Sequence, residues 1–140
     1  MRGETDLKRL LGSMSPDLSA GVYVFATLPP GATRPAGSNP VMIFREREGE
    51  TLILLEDEAN AAGLSSTFRC RMITLNVHSA LDAVGFLAAI TGRLAAAGTG
   101  VNPVSGYFHD HLFVRADRAT EAMAILTAIA AENGAPEPGL

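Results

Sequence analysis

The stretch Ile73-Thr-Leu-Asn-Val-His-Ser-Ala-Leu-Asp-Ala-Val-Gly-Phe-Leu87 decides how this chain folds, because its apolar period changes from two to helical within a few residues. Ile73, Leu75 and Val77 alternate with Thr74 and Asn76, as in a strand with one apolar face and one partly polar face. Ser79-Ala-Leu-Asp82 then fits the S/T-x-x-D/E signature of a helix start, where hydroxyl and carboxylate satisfy first-turn and cap N–H groups. A helix running on from Ser79 carries Leu81, Val84, Leu87, Ala88, Leu94 and Ala95 along one stripe and Phe86 and Ile90 on another. That apolar surface is wider than one sheet covers, so a second contact is expected, inside the chain or in a partner subunit.

Upstream, Leu7, Leu10, Leu11 and Met14 recur at helical spacing and Pro16 stops the run. Gly21 to Leu28 reads as a strand, and the prolines and glycines from Pro29 to Pro40 as an exposed loop. Val41–Arg45 and Thr51–Leu55 are β-prone runs on either side of Arg47-Glu-Gly-Glu50, a hairpin in which Gly49 supplies the turn's positive φ. Glu56 to Gly63 gives one or two helical turns, and Arg69 to Val77 a strand. Downstream, Val101–Phe108 and His111–Arg115 form a strand pair. A final helix carries Ala119, Ala122, Met123, Leu126, Ile129 and Ala130, and the tail from Pro136 frays. The sum is an α+β fold, helices covering one face of a largely antiparallel sheet. From Arg69 onward the order β-α-β-β-α is the first five elements of a ferredoxin-like unit.

The 140 residues suffice for a real core, and 47% hydrophobic with 19% charged residues is a globular composition. A net charge of −4, with Lys8 as the single lysine, argues against a nucleic-acid footprint. Apolar runs are broken by Asp82, Thr91, Arg93 and glycines, so no membrane helix is expected. One cysteine and no signal-like leader make a reducing cytoplasm the expected setting.

Three stretches resemble the ACT-domain superfamily, in particular its small stand-alone tandem proteins: Met14-Ser-Pro-Asp-Leu with Tyr23-Val-Phe, Phe44-Arg-Glu-Arg-Glu-Gly-Glu-Thr-Leu-Ile-Leu, and Ser79 to Phe86 through Gly106-Tyr-Phe-His-Asp-His-Leu-Phe-Val. The resemblance implies ferredoxin-like modules in tandem, 1–67 and 68–134 with a frayed 135–140, and a regulatory role without catalysis or cofactor. It further implies a small-molecule ligand, an amino acid, at the strand-to-helix loop near a module interface. The family's acid-x-proline-glycine pattern falls on Asp82 to Gly85, with Val84 in place of proline.

The candidate ligand-binding residues are therefore Ser79, Asp82, Val84, Gly85 and Phe86. The Val84–Phe86 amides would cradle an anion, since helix N-termini favour negative charge, and Asp82 or a residue across an interface would meet a cation. The dull alternative is that Ser79 and Asp82 merely cap the helix. His78, His109 and His111 lie beside strand ends, but His109 and His111 share a side that Asp110 does not, so at most two ligands converge where zinc needs three or four. No metal site is expected. Cys70, with Arg69 and Arg71 on the opposite face, reads as a buried structural thiol, and Met42, Met72 and Met123 read as core. Arg45-Glu-Arg-Glu48 is a charged hairpin shoulder that discourages edge pairing. No phosphate loop, nucleophile elbow or paired-cysteine spacing occurs, so no catalytic residue is assigned. The reading is a cytoplasmic amino-acid sensor that self-associates. Its rival is a ligand-free interaction and oligomerisation module.

Overall fold

A computed structural model describes residues 3–134, so the tail 135–140 lies outside the described residues. The elements follow in chain order as α1 (Leu7–Ser13), β1 (Ser15–Leu18), β2 (Tyr23–Leu28), β3 (Met42–Glu46), β4 (Gly49–Leu55), α2 (Glu56–Ala61), β5 (Ser66–Asn76), α3 (Phe86–Ala96), β6 (Val101–Ser105), β7 (Asp110–Arg115) and α4 (Ala119–Glu132). Among the described residues they form two compact units: Ala20–Arg71, and 3–19 together with 72–134.

In the unit Ala20–Arg71 the strands lie in the order β3-β4-β2-β5, with β2 antiparallel to β4 and to the first half of β5. This is the ferredoxin-like order, with β2, β3, β4 and β5 as first to fourth strands and α2 as second helix. The first helix is missing. Its place in the chain is taken by 29–41, where Pro29, Pro30, Pro35 and Pro40 withhold the N–H groups a helix needs. The loop is tied down locally, Asn39 N–H donating to Glu58 Oε1 at 2.6 Å and Arg34 to Glu50 at 2.8 Å. Val24, Ala26, Leu28, Leu52, Leu54 and Ala59 form the core. Gly49 has the positive φ expected of it, +154°, at the point where β4 opens just after the turn, and a Cβ there would also run into the Leu28 carbonyl oxygen, so conformation and the close approach of β2 both demand glycine.

The other unit has the strand order β1-β5-β7-β6. Here the second half of β5, then α3, β6, β7 and α4, are the first five ferredoxin-like elements, and the fourth strand is β1 from the chain's start. Ser15–Leu18 pairs antiparallel with Ile73–Asn76, so the element that the sequence after Arg69 lacks comes from upstream. Leu10, Leu11 and Met14 join Ile73, Leu75, Phe86, Ile90, Leu94, Leu112, Val114, Leu126 and Ile129 in one core. Asp6 caps α1, its carboxylate accepting from Arg9 N–H at 2.8 Å. Met42, Met72 and Met123 are half-buried, Met123 packing against this core, and Met14 is buried within it.

Candidate functional site

The strand-to-helix connection departs from the sequence expectation at its centre. The helix starts at Phe86, not after Ser79. The backbone of His78–Ala80 is engaged by a distant segment: Glu4 N–H donates to His78 O at 2.8 Å and Ala80 N–H to Glu4 O at 3.0 Å, making a short parallel bridge. Leu81 and Asp82 form a turn, and Gly85, at φ +92°, redirects the chain into α3.

The consequences reach every residue of the capping signature. Ser79 Oγ does not cap the helix by accepting from its amides; it donates to Asp110 Oδ2, at 3.2 Å. The cap of α3 is Gly85, which has no side chain to offer, so the first-turn N–H groups of Phe86, Leu87 and Ala88 lack an intrahelical acceptor. The amides aimed out of the helix start are therefore two residues further on than Val84–Phe86. The apolar stripe changes too: Phe86, Ile90 and Leu94 face the core, while Leu81 and Val84, outside the helix, are 71% and 85% exposed.

Asp110 is the residue that sequence reasoning missed as a site group. At the start of β7 it is only 7% exposed, and its carboxylate accepts from Ser105 Oγ at 2.6 Å and from Ser79 Oγ at 3.2 Å. The signal was its alternation against His109 and His111: the side those histidines avoid is the helix-facing side, where Leu112 and Val114 lie in the core. A cavity of about 130 Å³ opens between the loop Ser79–Gly85, the first turn of α3, and Ser105 with Asp110. The first-turn residues Phe86, Leu87 and Ala88 thus line one part of it and the buried Asp110 another. Of the five candidates, Ser79, Gly85 and Phe86 line this cavity, Asp82 lines a neighbouring one of about 170 Å³, and Val84 lines neither.

The histidines are occupied in other ways. His111 Nδ1 lies 3.0 Å from Thr74 Oγ1, and burial, with His109 nearby, holds its pKa below the ordinary value. His78 packs against the rings of Phe108 and Tyr107. Among the described residues no group of three or more His, Cys, Asp or Glu side chains is placed to hold a metal. Cys70 is fully buried, its thiol donating to Tyr23 O at 3.4 Å, and burial pushes its pKa up to about 11. No helix among the described residues is long and apolar enough to cross a membrane.

ACT-domain family models match the chain twice, over residues 2–71 and 67–128. A solved structure of a protein of unknown function from Vibrio cholerae, described as a possible transport protein, is 44% identical over 89% of this chain and 95% of its own, with a TM-score of 0.80. The ligand-free regulatory subunit of aspartate kinase from Thermus thermophilus superposes with a TM-score of 0.65 at 12% identity, covering 84% of this chain and 99% of that one. A putative C-terminal regulatory domain of aspartate kinase from Porphyromonas gingivalis gives 0.57 at 13% identity, over 85% and 98%. No curated protein matches the chain. The chain belongs to the ACT-domain family, as two ferredoxin-like ACT modules in tandem. ACT domains are regulatory, ligand-binding modules and not catalytic ones.

Proposed function

We propose that this protein is a sensor, without catalytic activity of its own, that binds the α-amino-carboxylate end of an amino acid in the cavity between the α3 N-terminus and Asp110. The observation that carries the reading is the pairing of opposite demands across a space of about 130 Å³. First-turn N–H groups of α3 suit a carboxylate, and the buried Asp110 carboxylate suits an ammonium. Pockets for drug-sized ligands run to roughly 300–1,000 Å³, so this space is scaled to a small polar head. The aspartate kinase regulatory domains that share the fold agree with a regulatory role. Cys70, buried as a thiol, agrees with a cytoplasmic setting.

Thermal-shift and calorimetric titration of the full chain against the amino acids tests this, since a ligand selective for the folded state must raise the melting temperature. Asp110→Asn should remove the charge for the ammonium and weaken binding by at least about tenfold, the usual scale for losing a charge-assisted bond. If no amino acid shifts the melting temperature, the sensing reading fails.

A second reading has its own observation. Leu81, Val84, Tyr107 and Phe108, all in the unit that holds the site, are large apolar side chains more than half exposed. Such a surface suits an interaction module that assembles with itself. Sedimentation velocity at micromolar concentration, with Leu81→Ser and Val84→Ser, tests it; a monomer in every case would remove it.

A further inference from the structure

In the unit Ala20–Arg71 a cavity of about 370 Å³ opens where β5 begins, and its walls include Phe25, Thr27, Thr51, Ser65, Ser66 and Thr67. Register places it on one side of the sheet. Phe25 pairs with Thr67 and Thr27 with Thr51, and residues directly opposite or two apart along a strand share a face, so these four side chains stand together. Val24, Ala26 and Leu28 point the other way, into the core with Ala59 of α2.

Phe25 is braced by a bulge. β2 and β5 lose register between Tyr23 and Phe25, where β5 carries one residue more, and there Phe68 takes a φ of +59°. That left-handed conformation is one that bulges usually give to glycine. The Phe68 ring meets the Phe25 ring edge to face, 5.7 Å between centroids and 72° between planes. Strained backbone of this kind clusters at ligand-binding positions, and here it sets a ring against the cavity wall.

The chemistry of the walls is uncharged. Among the described residues no charged side chain lines the cavity, and the Thr51 hydroxyl donates to Glu46, which lies outside the lining. Thr27, Ser65, Ser66 and Thr67 are exposed, and each hydroxyl can both donate and accept. An ion entering here would lose water and meet no counter-charge. A flat ring gains a contact with Phe25, and polar groups on its edge meet the hydroxyls. An apolar cavity of about 150 Å³ holds benzene, and ligand sites begin near roughly 300 Å³, so one or two rings fit the space.

We propose that this cavity is a second ligand site, for a free, uncharged aromatic molecule of one or two rings with a hydrogen-bonding group on its edge, such as a phenol or an indole. The site is independent of the amino-acid reading, since the α3 cavity belongs to the other unit and suits a charged guest.

Titration of the full chain with phenol, indole, cyclohexanol and benzoate, followed through threonine methyl resonances by NMR, tests this. Phenol and indole should shift Thr27, Thr51 and Thr67 and leave Thr91 and Thr99 of the other unit in place. Phenol should bind at least about threefold more tightly than cyclohexanol, which matches its size without a ring current or quadrupole, and about tenfold more tightly than benzoate. Phe25→Leu should remove the preference for phenol over cyclohexanol. Thr67→Trp fills the space from an exposed strand position, where tryptophan suits β structure, and should abolish binding with the melting temperature retained. Equal affinity for phenol and cyclohexanol, a preference that survives Phe25→Leu, undiminished binding to folded Thr67→Trp, or shifts confined to other threonines overturns the site. Shifts of the same three methyls when the protein alone is concentrated would show a second copy on this face, and that also overturns it.

Discussion

Two glycines seven residues apart should respond to the same substitution with opposite signs. Gly92 lies within α3, with open space where a Cβ would stand and no unusual φ. Glycine in a helix interior costs about 1 kcal/mol relative to alanine, so Gly92→Ala should stabilise by about that amount. Gly85 has equally tolerant surroundings, the nearest atom to its Cβ being Leu7 Cδ2 at an ordinary 3.5 Å. Its φ of +92°, however, is a left-handed conformation that costs an L-residue about 1–2 kcal/mol. Gly85→Ala should therefore destabilise by about that much for a backbone reason alone, and Gly85→Val by more, since β-branching adds its own restriction. A valine at Gly85 is therefore a poor probe of ligand approach, because it strains the fold as well as filling space. Urea denaturation with unchanged m-values, read on the transition of the unit containing α3, measures all three variants. A Gly85→Ala variant as stable as the parent would refute the left-handed helix entry, and a Gly92→Ala variant that loses stability would refute the open space beside α3.

Cys70, with its thiol held near pH 11 by burial, should resist disulfide-exchange reagents at pH 8 in the folded protein and react once urea unfolds it. Fast labelling of the native state would contradict its placement. His111 gives a pH dependence whose sign follows from linkage. Its folded pKa lies below the ordinary 6.5 chiefly through burial, so in acid the unfolded chain binds the proton more readily. Its contribution is fully present above pH 6.5 and is lost as the pH falls through the folded value, and His111→Gln should flatten the stability profile in that window. Gly12 of α1 faces the Asn133 carbonyl so closely that a Cβ would overlap it; Gly12→Ala should cost about 1–3 kcal/mol by overpacking. An unchanged melting curve would show that α1 does not sit there.

The sequence by itself determined the local elements, because periodicity, proline and glycine act over a few residues. The β5 alternation, the β3–β4 hairpin and the helices at Leu7 and Ala119 follow from side chains meeting near neighbours on one face. Three matters were decided only by contacts between segments far apart in the chain. The strand that completes the unit of β5–α4 is β1, since an edge beside β5 is satisfied by whichever strand reaches it, and chain order says nothing about which that is. The start of α3 lies at Phe86 and not after Ser79, where the loop pairs with Glu4 and Gly85 takes a left-handed conformation before the helix begins. Asp110 became a site residue because Ser79, thirty-one positions earlier, turns its hydroxyl to that carboxylate instead of to its own helix. Local propensity sets what a segment can become, but a non-local hydrogen bond that uses the same N–H or C=O excludes the local choice, and only the folded chain shows which of the two was made.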